Sequence, residues 1–226
     1  MSHDAPNPNK SVNLTIDGKP VTVPEGTTIL EAARKINVKI PTLCDHPSLG
    51  KRAVCRLCVV ECDGRGKLVA ACANEVWEGV NVVTNNLRLL NIRKTIVAML
   101  LANHPQECLG CIRSGKCDLQ SLARVYGKDS SGDRKELFPR MIPEGCVPEK
   151  SGRTLVRNMD KCVKCGRCIE VCQELQTVRS INSGHRSVEY EICTPYREAL
   201  GRGSCIYCGQ CARVCPVGAI YECEHN

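Results

Sequence analysis

Two runs in the C-terminal third, CVKCGRCIEVCQ (162–173) and CIYCGQCARVCP (205–216), constrain this chain more than any other feature. Both follow C-x2-C-x2-C-x3-C, and two chance copies of so tight a spacing are implausible. Thiols this close in sequence suit metal ligation better than bridges between distant loops. The spacing is that of the bacterial 4Fe–4S ligand run. The second run ends in the expected Pro216, whereas Gln173 stands at the equivalent place in the first. That departure bears on how the chain leaves the site, not on ligation.

The wider composition agrees with a metal-rich chain. There are 19 Cys in 226 residues, an odd count, and most fall in close C-x-x-C groups. Such a density in a short secreted protein would suggest a disulfide scaffold. The opening MSHDAPNPNKS, however, has neither the basic nor the apolar segment of a secretory signal. The longest apolar run, IVAMLLA (96–102), is too short to span a bilayer. The expectation is a soluble, cytoplasmic protein with no membrane span. Aromatic residues are only 3%, with one Trp and one Phe, so metal centres are expected to substitute for bulky side chains as packing nuclei. The formal charge of +7 comes without any basic block, Lys and Arg being interleaved with Asp and Glu. Oxidised clusters with deprotonated ligands would contribute roughly −7, leaving the loaded protein near neutral. Nucleic acid is therefore not an expected partner.

Along the chain, residues 1–10 read as a polar tail. VNLTI, the turn dipeptide DG and PVTV read as a hairpin over 11–23. TTILEAARKIN reads as a helix with a Thr28–Glu31 capping box and Ile29, Leu30, Ala33 and Ile36 on one face. Strand, turn, strand, helix is the opening of a β-grasp fold. A loop-like stretch over 40–60 follows, then strand candidates LVAAC (68–72) and VNVVT (80–84). NLRLLNIRKTIVAMLLAN (86–103) is the strongest helix, with Leu89, Ile92, Ile96 and Met99 as a core stripe and Asn103 and Pro105 as stop signals. His104 thus sits just past a rigid helix end. Residues 127–153, rich in Gly, Pro, Ser and charge, read as a linker or irregular lobe.

Two further constellations precede the paired runs. Cys44, Cys55, Cys58 and Cys72 are spaced C-x10-C-x2-C-x13-C, and His104, Cys108, Cys111 and Cys117 are spaced H-x3-C-x2-C-x5-C. Thiolate is a soft ligand suited to iron–sulfur clusters and to zinc. Zinc ribbons favour two C-x-x-C knuckles, which the first set lacks. Taken alone, the second set suits zinc and a cluster equally, although its compactness departs from the usual zinc pattern of two pairs across a long loop.

The paired runs resemble those of two-cluster ferredoxins, in which the fourth Cys of each run ligates the other cluster. That resemblance implies one 4Fe–4S cluster on Cys162, Cys165, Cys168 and Cys215, and another on Cys205, Cys208, Cys211 and Cys172. The first set, after its β-grasp signature, resembles 2Fe–2S ferredoxin domains. Its long first gap is similar to the version in the large peripheral subunit of complex I and in many hydrogenases. The second set is similar to the His-ligated 4Fe–4S site that follows in those same families. In order, the whole unit over 11–224 resembles the iron–sulfur subunit of multimeric NAD(P)-linked hydrogenases. The same unit opens FeFe hydrogenase catalytic subunits and some NAD-linked formate dehydrogenases.

The resemblance implies an α+β chain carrying one 2Fe–2S and three 4Fe–4S clusters. A 2Fe–2S β-grasp domain would occupy 11–85, a helical domain with the His-ligated 4Fe–4S cluster 86–126, a linker or lobe 127–156, and a two-cluster ferredoxin-like domain 157–226. It also implies partners: a flavin- and NAD-binding subunit, a thioredoxin-like 2Fe–2S subunit, a hydrogenase catalytic module and, in electron-bifurcating versions, ferredoxin. The chain ends about ten residues after its last motif, which suits a separate subunit rather than the front of a longer enzyme. The alternatives are the equivalent subunit of a formate dehydrogenase or complex I-like module, and a free polyferredoxin carrier. No G-x-G-x-x-G after a strand, no P-loop and no nucleophile motif is present, so the expected role is non-catalytic electron transfer. Cys62, Cys146, Cys193 and Cys223 lie outside ligand spacing and are expected as buried thiols, and His46 and His185 as loop or surface residues.

Overall fold

The computed structural model describes residues 10–63, 68–105, 107–127, 138, 149–151, 154–186 and 189–223. The tail over 1–9, most of the expected linker and Cys146 lie outside the described residues. The chain divides into two compact units, one of residues 1–42 and 53–96 and the other of residues 43–52 and 97–226. Among the described residues no helix is long and apolar enough to cross a membrane.

The first unit opens with the expected hairpin. Strands β1 (Ser11–Ile16) and β2 (Lys19–Pro24) pair antiparallel from Ser11↔Pro24 to Ile16↔Lys19. Val12, Leu14 and Ile16 point inward, whereas Ser11 and Asn13 face solvent and Thr15 is half-buried. Asp17 and Gly18 both adopt left-handed backbone (φ 50° and 76°), the turn whose twist matches the flanking strands. Helix α1 (Ile29–Lys35) begins at the Thr28–Glu31 capping box: Thr28 N–H donates to Glu31 Oε2 at 2.8 Å and Glu31 N–H donates to Thr28 Oγ1 at 3.3 Å. It buries Ile29, Leu30, Ala32 and Ala33 against the sheet core. Strands β3 (Val59–Cys62), β4 (Leu68–Ala70) and β5 (Asn81–Val83) complete a five-stranded sheet in the order β2-β1-β5-β3-β4. β1 and β5 run parallel, whereas β3 is antiparallel to both β4 and β5.

Helix α2 (Leu87–Ala102) follows the predicted span, but its buried line is Leu89, Arg93 and Val97. Met99 of the predicted stripe is exposed, and Ile92 and Ile96 are only partly buried. A charged residue occupies the inward face because its guanidinium has carbonyl partners there. Arg93 donates to the carbonyls of Leu57 (3.3 Å), Val59 (2.8 Å) and Thr84 (2.9 Å).

In the second unit, α3 (Asp118–Tyr126), α4 (Arg167–Glu170) and α5 (Gln210–Val214) accompany two small sheets. β7 (Leu155–Arg157) pairs antiparallel with both β6 (Glu149–Ser151) and β10 (Ile220–Glu222). β8 (Asn182–Gly184) pairs with β9 (Glu191–Cys193). Leu155 and Val156 are buried, so ordered structure tied to the last strand starts within the stretch read as linker. The core is aliphatic, built on Leu119, Leu155, Ile169, Ile181, Ile192, Leu200 and Ile220, with Cys168, Cys211 and Cys215 inside it. Thiols occupy interior positions that aromatic residues hold in other small domains.

The Gln173/Pro216 difference has a visible consequence. After the first run the helix continues as a single π-type turn over Val171–Leu175, and Gln173 donates to Asn182 Oδ1 at 2.8 Å. After the second, α5 ends at Val214 and Pro216 follows directly, where a missing N–H bars further helix.

Candidate metal centres

The two paired runs build the same loop twice. In each, the residue before the second Cys is left-handed without being glycine (Lys164, φ 54°; Tyr207, φ 53°), and a left-handed Gly follows that Cys (Gly166, φ 78°; Gly209, φ 72°). Non-glycine residues adopt this conformation at a cost of about 1–2 kcal/mol, so the surrounding loop must impose it. Its effect is to turn backbone N–H groups toward sulfur: Lys164 N–H donates to Cys162 Sγ at 3.4 Å and Tyr207 N–H to Cys205 Sγ at 3.5 Å. The two glycines then cap α4 and α5, which carry Cys168 and Cys211.

Three cavities gather the predicted ligands of this unit. One of about 330 Å³ is lined by Cys162, Cys165, Cys168 and Cys215 among Met159, Val163, Ile192 and Val217. A second, about 340 Å³, is lined by Cys172, Cys205, Cys208 and Cys211 among Leu155, Val171, Ile181 and Ile206. In each, three thiols come from one run and the fourth from the other. The third, about 290 Å³, is lined by His104, Cys108, Cys111 and Cys117 together with Glu107, Arg113 and Lys161. His104 follows the end of α2, its N–H donating to Leu101 O at 3.2 Å, and its Nδ1 is shielded from solvent.

Burial makes six of these thiols reluctant to ionise. Desolvation first, and repulsion from neighbouring sulfurs after it, push Cys162 and Cys211 up to about 12 and Cys165 to about 11. Cys168, Cys117 and Cys205 are raised too, with burial as the largest cause. Crowded, desolvated thiols are poor anions by themselves, and a bound cationic iron core would invert that preference by favouring the deprotonated ligands. No three His, Cys, Asp or Glu side chains among the described residues converge tightly enough to hold a single metal ion. The sulfurs instead stand around cavities, an arrangement that fits a polynuclear cluster.

Of the first set, Cys58 and Cys72 are buried with their sulfurs 3.3 Å apart in the first unit. Cys55 is half-buried in a loop whose next residue, Arg56, is left-handed (φ 59°). Cys44 is buried in the 43–52 segment, which groups with the second unit. That segment is tied there by Arg167, which donates to Asp45 O at 2.8 Å, by the Arg52–Glu170 ion pair, and by packing of Leu49 on the aliphatic core. Gly166 holds a left-handed backbone (φ 78°) that favours glycine, and a Cβ there would push the Arg52 side chain aside.

The family comparisons follow the same order as these sites. The family described as a 2Fe-2S iron-sulfur cluster binding domain matches residues 9–87. The NADH-ubiquinone oxidoreductase-G iron-sulfur binding region matches 93–131, and the 4Fe-4S binding domain matches 155–174 and 202–221. A solved NAD+-reducing [NiFe]-hydrogenase contains a chain that superposes with a TM-score of 0.84 at 31% identity, over 94% of this chain and 88% of that one. This chain belongs to the family of iron–sulfur subunits of NAD(P)-linked hydrogenases. Among curated relatives, the NADP-reducing hydrogenase subunit HndD of Solidesulfovibrio fructosivorans is 39% identical over 220 residues, covering 95% of this chain. The NADPH-Fe(3+) oxidoreductase subunit alpha of Geobacter sulfurreducens is 32% identical over 212 residues, and the NADH-ubiquinone oxidoreductase 75 kDa subunit of Reclinomonas americana 32% over 209, each covering 92% of this chain. The chain spans only 36%, 24% and 29% of the length of these three relatives.

Three basic residues with no ligand spacing of their own stand beside the predicted ligands. Arg93 clamps the carbonyls on either side of Cys58. Arg167, 8% exposed, donates to Asp45 O, to Asp118 Oδ2 at 3.3 Å and to Val214 O at 3.5 Å, the immediate neighbours of Cys44, Cys117 and Cys215. Lys161 reaches Cys111. Only Arg167 carried a signal, its place inside a ligand run. Of the leftover cysteines described, Cys62 is buried in β3, whereas Cys193, in β9, and Cys223, just past β10, are only half-buried. His46 accepts from Ser48 N–H at 3.2 Å, and burial and then Arg167 hold its pKa below the ordinary range. His185 lies among Glu189, Glu191 and Arg197 on the surface.

Proposed function

We propose that this chain is the internal wire of a soluble cytoplasmic NAD(P)-linked hydrogenase. It would carry single electrons between a flavin- and NAD-binding partner and a hydrogenase module, with a thioredoxin-like 2Fe–2S subunit and, in a bifurcating complex, ferredoxin as further partners. Cys44, Cys55, Cys58 and Cys72 would hold one 2Fe–2S cluster. His104, Cys108, Cys111 and Cys117 would hold a 4Fe–4S cluster, and the two crossed four-thiol sets would hold two more. Bound there, such clusters supply reversible one-electron chemistry with no proton or substrate handling by the protein. The chain's own residues exclude water, fix the sulfurs and direct N–H groups at them, which are the levers that set cluster potentials.

The observation that carries this reading is the sorting of twelve ligand side chains into three cavities, two of which draw on both runs. Iron and acid-labile sulfide analysis of the anaerobically purified chain tests it. One 2Fe–2S and three 4Fe–4S clusters require about 14 iron atoms per chain, and a value near four or eight would sink the four-cluster assignment. Co-purification from the host identifies the partners, and recovery only as a lone holo-chain would sink the subunit reading.

The imidazole of His104 is the neutral ligand in an otherwise thiolate set, and it should lift the potential of its cluster. In Rieske centres the same kind of replacement raises the potential by hundreds of millivolts. His104→Cys is therefore expected to move the midpoint of that cluster to more negative values in an EPR-monitored titration. An unmoved midpoint would show that the imidazole has no tuning role.

A further inference from the structure

The third cavity has a cationic side chain reaching into it from the neighbouring ligand run. Lys161 Nζ lies 3.6 Å from Cys111 Sγ, while the next residue along the chain, Cys162, lines the adjacent four-thiol cavity. The geometry points to Lys161 as a positioning and tuning residue for the His104–Cys117 centre, a role that rests on the cluster reading of that cavity given above.

The approach is built rather than incidental. Residues 159–161 form a 3-10 turn, with Lys161 N–H donating to Asn158 O at 3.2 Å and Cys162 N–H to Met159 O at 3.0 Å. This fixes the root of the lysine side chain. On the same sulfur, a Cβ at Gly218 would come within 2.9 Å of Cys111 Sγ, so the turn leading to β10 also closes tightly on this ligand. The other charged groups lining the cavity are Arg113 and Glu107. Arg113 is committed elsewhere, donating to Ala212 O at 2.7 Å. Lys161 is therefore the cation with a contact to a ligand sulfur, and Glu107 opposes it from the exposed rim.

The consequence follows from charge. Adding one electron makes a cluster one unit more negative, and a lysine ammonium beside a thiolate ligand stabilises that reduced form. An N–H···S contact from a charged donor also withdraws electron density from the sulfur. Both effects raise the midpoint potential of the second centre. The contact is specific to Cys111, so the other three centres need not move.

Redox titration of the full holo-chain, followed by EPR, tests this with Lys161→Met, Lys161→Gln and Lys161→Arg. Loss of the charge should lower the reduced-to-oxidised ratio of the His-ligated cluster about tenfold at fixed potential, the order expected for a charged hydrogen bond. For a one-electron couple that is a shift of about 59 mV. Lys161→Arg should restore the wild-type midpoint, the other clusters should keep theirs, and iron content should match the wild type. Should Lys161→Met load poorly, the midpoint in Lys161→Gln decides. An unmoved midpoint in the loaded neutral variants overturns the proposal, as does an equal shift in the Cys162-bearing cluster or in Lys161→Arg. A wild-type chain short of four iron atoms and lacking this EPR signal would instead overturn the cluster reading itself.

Discussion

Cys172→Ala is expected to abolish the cluster held by Cys205, Cys208 and Cys211, and to leave the cluster of its own run in place. Cys215→Ala should do the reverse. The expectation follows from the two cavities, each of which takes its fourth thiol from the other run. Iron counts of double variants read it out without assigning spectra. Cys165→Ala with Cys215→Ala removes two ligands of one centre and should leave about 10 of about 14 iron atoms. Cys165→Ala with Cys172→Ala strikes both centres and should leave about 6. Uncrossed ligation would exchange those two results. Stability should follow the iron, because Cys168, Cys211 and Cys215 belong to the buried core of the second unit. An empty centre leaves that core with desolvated thiols in place of a cross-link between two runs.

What could be read in the sequence was what local spacing determines. The close C-x-x-C groups were legible because their spacing is a property of a few consecutive residues. The hairpin, the Thr28–Glu31 cap and the span of α2 were legible for the same reason. The periodicity of α2 misled, because a hydrophobic count assigns Arg93 to solvent. Its burial becomes visible only when the carbonyls of Leu57, Val59 and Thr84 converge from two other segments. Arg167 and Lys161 were hidden similarly: their partners lie from 47 to 122 and 50 residues away in sequence. The position of Cys44 shows a further limit. Sequence order puts it with the N-terminal strands, yet Leu49, Arg52 and the Asp45 carbonyl tie its segment into the second unit.

Arg93→Met should be among the most damaging single substitutions outside the ligands. Arg93 is 3% exposed and its guanidinium donates to three backbone carbonyls, two of which flank Cys58. Methionine fills much of the same volume but donates nothing, so buried acceptors lose their partners at about 1–3 kcal/mol each. A total near 3–5 kcal/mol is a large part of the 5–15 kcal/mol that separates a typical folded domain from its unfolded chain. Arg88, just over one turn away on the same helix, provides the control. It forms an exposed 3.1 Å ion pair with Glu61, its side chain 62% accessible, and pairs of that kind contribute only about 0–1 kcal/mol. Urea unfolding of the holo-chain followed by circular dichroism should therefore show an early loss of structure in Arg93→Met and a near wild-type curve in Arg88→Met. The iron released first in Arg93→Met should amount to about two atoms, the content of one 2Fe–2S cluster, because the carbonyl clamp holds the backbone of Cys58. Equal curves for the two variants would mean that the sheet, and not Arg93, fixes that backbone. Arg93→Lys separates charge from geometry: a single ammonium cannot span three diverging carbonyls as a planar guanidinium does, so it should recover only part of the loss.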